Sequence, residues 1–151
     1  MLSLAPVEIG IVTDTSHTDA NILLVDTLDL IEKFGEYDVL VAPGFIGVSE
    51  AGFITTLGRG GSDTSAIALG ASLDANFVDI YSDVMGVMTD DPKVNIDAKL
   101  IPEMTYDELI EIAESGAKVI HLKAIKLAKD CEVNLRFRST FEDFIGTVVR
   151  P

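Results

Sequence analysis

The sequence predicts an α/β fold, a three-layer sandwich with a mainly parallel central sheet. Three observations carry the class. Short apolar runs alternate with helix-period segments along the whole chain. Hydrophobic residues make up 48% of the chain and mean hydropathy is positive, as in a well-buried domain. The 151 residues suffice for one domain with a real core, so residues 1–151 are read as a single domain.

Residues 7–13 read as a strand. Residues 15–33 place Ile22, Leu23, Val25, Leu28, Leu30 and Ile31 at helical spacing and close at Phe34, with Gly35 as C-cap. Residues 38–42 are a short apolar run, expected as a buried parallel strand. Residues 44–56 look like a hairpin that turns near residues 49–52. Residues 62–73 form a small-residue helix with Ser62 as N-cap. Residues 77–81 are another strand, and residues 86–101 are mostly loop. Two helices follow, residues 105–114 and 117–129, split at Ser115-Gly116; Thr105 and Glu108 make a capping box for the first. Residues 133–138 and 147–149 complete the strands.

Acidic residues outnumber basic ones 25 to 11, for a net charge of -14. The few cations are spread out, so no basic nucleic-acid surface is expected. No apolar run approaches the ~20 residues of a membrane span. Residues 1–10 lack the basic start and apolar core of a signal peptide. The single cysteine, Cys131, excludes an internal disulfide, suits a reducing cytoplasm and reads as a small core residue. A cytoplasmic protein without nucleic-acid or membrane partners is the expectation.

The stretch TLGRGGSDTSA, residues 56–66, sets three glycines, an arginine and an aspartate before a helix. Such a turn exposes backbone N–H groups, and with the helix dipole they favour an anion. Arg59 can fork onto a carboxylate or phosphate. Asp63 can accept from an ammonium group, so the pair suits a zwitterion such as an amino acid. The same spacing also describes a plain tight turn at Gly60 and Gly61, with Arg59 solvated and Asp63 favouring the helix start. Neither common nucleotide-loop fingerprint is present.

The segment LGRGGSDTSA, followed by YSDVMGVMTDDPK and then SGAKVIHLKAI, resembles the aspartokinases of the amino acid kinase family. The likeness runs from about Ile9 to Val149, in the family's order. It implies transfer of the γ-phosphate of ATP to the side-chain carboxylate of L-aspartate. The product is 4-phospho-L-aspartate, on the route to lysine, threonine and methionine. The family's R-G-G-S-D segment lines the amino-acid pocket, which carries over to Arg59, Gly60, Gly61, Ser62 and Asp63. The family's T-D-x-x-G-x-Y-T-x-D-P-R segment contacts the nucleotide, which carries over to Ser82, Asp83, Gly86, Met88, Asp91, Pro92 and Lys93. Serine here keeps the threonine hydroxyl, methionine loses the tyrosine phenol, and lysine loses the arginine's bidentate fork. The family's G-A-K-V-[LIM]-H-P segment brings a basic residue toward the phosphates and carries over to Lys118 and Val119. His121 follows, but Leu122 replaces the proline. Asp63 and Lys118 are the residues the resemblance places closest to the chemistry. Phosphoryl transfer is mostly positioning and charge cancellation, with Mg²⁺ held mainly through the nucleotide and no dedicated metal cage.

Blander roles remain open for several residues. Asp83 also fits a strand-end carboxylate capping the next turn, and Asp90-Asp91-Pro92 makes a turn unaided. His17 is expected in a first helical turn, His121 packed or solvated, and Lys123, Lys126 and Lys129 on a solvated helix face.

The family's opening V-x-K-F-G-G-T-S turn and its later G-E segment do not occur; Lys33-Phe34-Gly35 ends a helix and is a decoy. No regulatory ACT domains are expected within residues 1–151. The resemblance therefore covers the nucleotide-side part of the kinase domain, incomplete at the N-terminus. The chain alone is expected to be inactive, a separate N-terminal lobe is open as a partner, and a homo-oligomer is expected. Two alternatives stand beside this reading. One is a non-catalytic module that binds a nucleotide or amino acid. The other is a related amino acid kinase with another acid substrate.

Overall fold

The computed structural model describes residues 1–91, 93–117 and 119–151. They fall into two compact units, Met1–Asp74 and Ala75–Pro151.

In the first unit, β1 (Leu2–Ser3) pairs in parallel with β4 (Leu40–Val41). A four-stranded sheet runs in the order β3 (Ile22–Val25), β2 (Ile11–Thr13), β5 (Ile46–Ser49), β6 (Ile54–Thr56). β2 is parallel to β5 and antiparallel to β3, and β5 and β6 form the expected hairpin. Helix α1 spans Leu28–Phe34 and α2 spans Gly61–Ser72. The core gathers Ile9, Ile11, Leu30, Leu57 and Ile67, all essentially sealed from solvent.

In the second unit, a sheet runs β7 (Val78–Ser82), β9 (Leu135–Ser139), β10 (Ile145–Arg150), β8 (Glu103–Thr105). β7 is parallel to β9 and β8 to β10, whereas β9 and β10 are antiparallel. Alternation along β9 buries Leu135, Phe137 and Ser139 and turns Arg136 and Arg138 to the other face. Helices α3 (Tyr106–Glu114) and α4 (Leu122–Asp130) pack on one another, and Leu109, Ala124, Ile125 and Ala128 are buried. The Thr105 capping box is present: Thr105 Oγ1 accepts from Glu108 N, and Thr105 N donates to Glu108 Oε2 at 2.7 Å. Among the described residues no helix is long and apolar enough to cross a membrane.

The α/β class with mixed, mostly parallel pairing agrees with the sequence reading; several local expectations do not. Residues 15–33 are not one helix: they give a loop, strand β3 and only then α1. Asp14 organises that loop, its carboxylate accepting from Ser16 N, Asn21 N and Asn21 Nδ2. This Asx-type closure replaces the first helical turns and leaves His17 in the loop. Residues 7–13 split into a short 3-10 turn, Pro6–Glu8, and β2, because Pro6 fixes the turn and Gly10 takes a positive φ of 79°. β4 is parallel as expected, but Val41 is exposed, since among the described residues β4 pairs with the short β1 alone. Gly35 caps α1 with φ -66°, without the left-handed turn that favours glycine there. The last helix starts at Leu122, later than residue 117, because His121 adopts an extended backbone and its Nδ1 accepts from Lys123 N. Cys131 is exposed at the C-cap of α4, not in the core.

Candidate functional site

The glycine turn leaves β6 at Thr56 and enters α2. Gly58 has φ +72° and Gly60 φ +70°, both in the left-handed region that glycine enters without strain. A side chain at 58 would also meet the Asp19 carboxylate, 2.2 Å from the place its Cβ would take. The N-cap of α2 is Gly60, correcting the assignment of Ser62. The left-handed backbone at 60 starts the helix one residue early and leaves Ser62 exposed in its first turn. Thr64 binds back to Gly60: its N and Oγ1 both donate to the Gly60 carbonyl, at 2.9 and 2.8 Å. Ser62 lies in the first turn of α2, at the positive end of the helix. Asp63 is half-buried and Arg59 exposed.

Phe45 supports the turn from below. Its φ is +73°, its N–H donates to Ser65 Oγ, and its carbonyl accepts from Leu57 N at 3.0 Å. Sequence reasoning missed it; the flanking Gly44, whose Cβ would press on Ser65 Oγ at 3.3 Å, was the available signal. The loop at His17 braces the other side, its carbonyl accepting from Thr56 N and Thr56 Oγ1.

In the second unit, a cleft of about 670 Å³ opens between the loop after β7 and the segment after α3. That volume lies within the ~300–1,000 Å³ typical of small-molecule sites. Gly86, Met88, Asp91, Lys93 and Val119 line it, bringing together two motifs distant in sequence. Ser82 and Asp83 stand one step away, at the end of β7 and just beyond it; Ser82 Oγ and the Val84 backbone bond reciprocally at 3.3 Å. Pro92 and Lys118, both assigned to the nucleotide, lie outside the described residues. The lining adds residues that were not assigned to the nucleotide, chiefly Val84, Ser115 and Gly116, which lie within the quoted segments, and Ile112, which does not. Gly116 has φ +98°, so the Ser115-Gly116 break was their signal.

The cleft combines apolar walls at Val84, Met88, Ile112 and Val119 with the charged groups Asp90, Asp91 and Lys93. Asn95 Nδ2 and the Asp91 amide bond Asp90 and hold its carboxyl below the usual carboxylate range. Asp91 Oδ1 accepts from Lys93 N at 2.9 Å, which fixes the turn that carries the lysine. Such a lining can take a flat apolar ring and a charged tail in one ligand.

The chain is 46% identical over 149 residues to an aspartokinase of Geobacillus stearothermophilus, covering 99% of this chain and 37% of that protein. Escherichia coli aspartokinase III superposes with a TM-score of 0.86 at 33% identity in its complex with lysine and aspartate, covering 99% of this chain and 35% of that one. Its complex with aspartate and ADP gives 0.86 at 32% identity, covering 98% and 34%. The chain thus spans little more than a third of the length of the curated relatives it matches. The aspartokinase resemblance read from three motifs is borne out by these relatives. The sequence model described as "Amino acid kinase family" matches residues 2–139, and the chain belongs to that family.

Proposed function

We propose that this chain forms part of an aspartate kinase, a phosphotransferase with a carboxyl acceptor. ATP occupies the cleft of the second unit and L-aspartate sits on the glycine turn of the first. The observation that carries the reading is the convergence of Gly86, Met88, Asp91, Lys93 and Val119 on one cleft. The similar E. coli aspartokinase III was solved with aspartate and ADP, which supports the ligand pair.

In this reading the apolar walls take the adenine and Lys93 and Lys118 answer the phosphates. Ser82 and Asp83 approach from the end of β7, and the resemblance assigns Pro92 to the nucleotide as well. Arg59 forks onto a substrate carboxylate, Asp63 accepts from its ammonium group, the amides of Gly60 and Ser62 face developing negative charge, and Gly61, whose amide donates to the Gly58 carbonyl, shapes the turn. A carboxylate oxygen of aspartate attacks the γ-phosphorus, the bond from that phosphorus to the bridging oxygen breaks, and ADP departs. Mg²⁺ arrives mainly on the nucleotide's oxygens; the carboxylates of Asp90 and Asp91 are hard donors of the right chemistry in the cleft. A homo-oligomer, a separate N-terminal lobe and a cytoplasmic location belong to the same reading.

The test is a titration of the amide resonances of residues 60–63 with L-aspartate, L-glutamate and succinate. L-Aspartate should move them at the lowest concentration, and succinate, which lacks the ammonium group, should move them least. Equal responses to all three acids would overturn the assignment of L-aspartate.

A further inference from the structure

We infer that Thr147 is a positioning residue for the nucleotide cleft: its hydroxyl clamps the base of the loop that carries Gly86, Met88, Asp91 and Lys93. The inference rests on reading that cleft as the nucleotide site. Thr147 is fully buried on β10. Its Oγ1 accepts from Val87 N at 2.9 Å and donates to the Ile101 carbonyl at 2.7 Å. Those two residues are the stem of the loop, since Ile101 N donates to Val87 O at 2.9 Å. Above them, Met88 bridges Leu100, Thr89 N donates to Lys99 O, and Lys99 N donates to Thr89 Oγ1. The hydroxyl therefore ties both strands of the stem to β10.

Two glycines make that approach possible. At Gly86, φ is +149° and an added Cβ would lie 2.7 Å from Thr147 Oγ1. At Gly146, an added Cβ would lie 1.7 Å from the Met85 carbonyl oxygen, so the loop meets β10 backbone to backbone. The register shift between Ile145 and Thr147 marks the same spot on β10. A buried hydroxyl satisfied as both donor and acceptor is costly to lose, because the amide of the fully buried Val87 and the Ile101 carbonyl then lose their partner. Valine has threonine's shape and neither hydrogen bond; serine keeps both.

The experiment compares wild type, Thr147→Val and Thr147→Ser by calorimetry with Mg-ATP and by amide hydrogen exchange. Thr147→Val should weaken Mg-ATP binding by about tenfold and speed exchange at Val87, with Leu109 and Ile125 still protected. Thr147→Ser should restore both to near wild type. Unchanged protection at Val87 in Thr147→Val overturns the clamp. Faster exchange at Val87 with unchanged Mg-ATP affinity overturns its link to the nucleotide. If wild type itself does not bind Mg-ATP, the reading of the cleft falls with the nucleotide link, and the clamp is decided by the exchange at Val87 alone.

Discussion

The hydroxyls of Thr13 and Thr55 meet at 2.6 Å, buried, although β5 lies between their strands. Gly47 makes this possible. A Cβ at 47 would lie 2.5 Å from Thr13 Cγ2, so the two threonines reach each other over bare backbone. Thr13 Oγ1 also donates to the Asp14 carbonyl at 3.0 Å, where the loop that braces the glycine turn begins.

That geometry gives an asymmetric mutant cycle. Thr13→Val strands the Thr55 hydroxyl and should cost about 1–2 kcal/mol. Thr55→Val should cost less, because Thr13 keeps the Asp14 carbonyl. The double valine variant should be more stable than the sum of the singles predicts. Urea denaturation of all four proteins checks it; strict additivity would mean the hydroxyl pair carries no coupling.

Asp79 anchors a ladder on the second sheet. It takes both Nε and Nη2 of Arg136, at 2.5 and 2.9 Å, and Arg138 Nη1 at 3.3 Å. Arg136 also lies over the Phe77 ring, 4.4 Å from its centroid. The Asp79 bond, more than any other influence, raises the Arg136 pKa above its usual value. Asp79→Asn should cost about 1–2 kcal/mol, between the values for exposed and buried pairs, since the side chains are 22% and 26% exposed. Denaturation at low and high salt would measure it, and a loss below a few tenths of a kcal/mol would reduce the ladder to surface decoration.

Stability should fall at both pH extremes for identifiable reasons. Asn21 and the Ser16 amide lower the carboxyl pKa of Asp14, and the Thr105 amide and hydroxyl lower that of Glu108. Groups depressed on folding stabilise above their unfolded pKa, about 4, and lose that as pH falls through the folded value. Asp14→Asn and Glu108→Gln should therefore flatten the acid limb of a melting-temperature profile. The buried Tyr106 phenol, which donates to the Val133 carbonyl, is pushed up to about 12 by burial and by Glu132. Its contribution is full below about pH 10 and is lost as pH rises through 12. Tyr106→Phe should flatten the alkaline limb, and an unchanged slope would contradict the assignment.

Asp63→Asn separates the two proposed ligands. Removing the acceptor for an ammonium group should weaken L-aspartate binding by about tenfold or more and leave Mg-ATP nearly unchanged. Parallel losses for both ligands, measured by calorimetry, would make Asp63 a structural residue of α2.

Features set by adjacent residues were legible in the sequence. The capping box at Thr105 and Glu108 and the hairpin of β5 and β6 need only neighbouring chemistry. Ile22, Leu23, Leu24 and Val25 fit a strand as well as a helix, and the Asp14–Asn21 bonds together with the pairing to β2 decide between them. β8 escaped because Glu103–Thr105 is three residues long and pairs with β10, far along the chain. The motif residues of the cleft were readable by resemblance. Thr147 was not, since its partners Val87 and Ile101 meet it only in three dimensions.

The most direct measurement is a calorimetric titration of the chain with Mg-ATP, repeated at saturating L-aspartate. The account predicts binding that tightens with L-aspartate and is lowered by Lys93→Ala more for ATP than for adenosine. Absence of Mg-ATP binding under both conditions would contradict it.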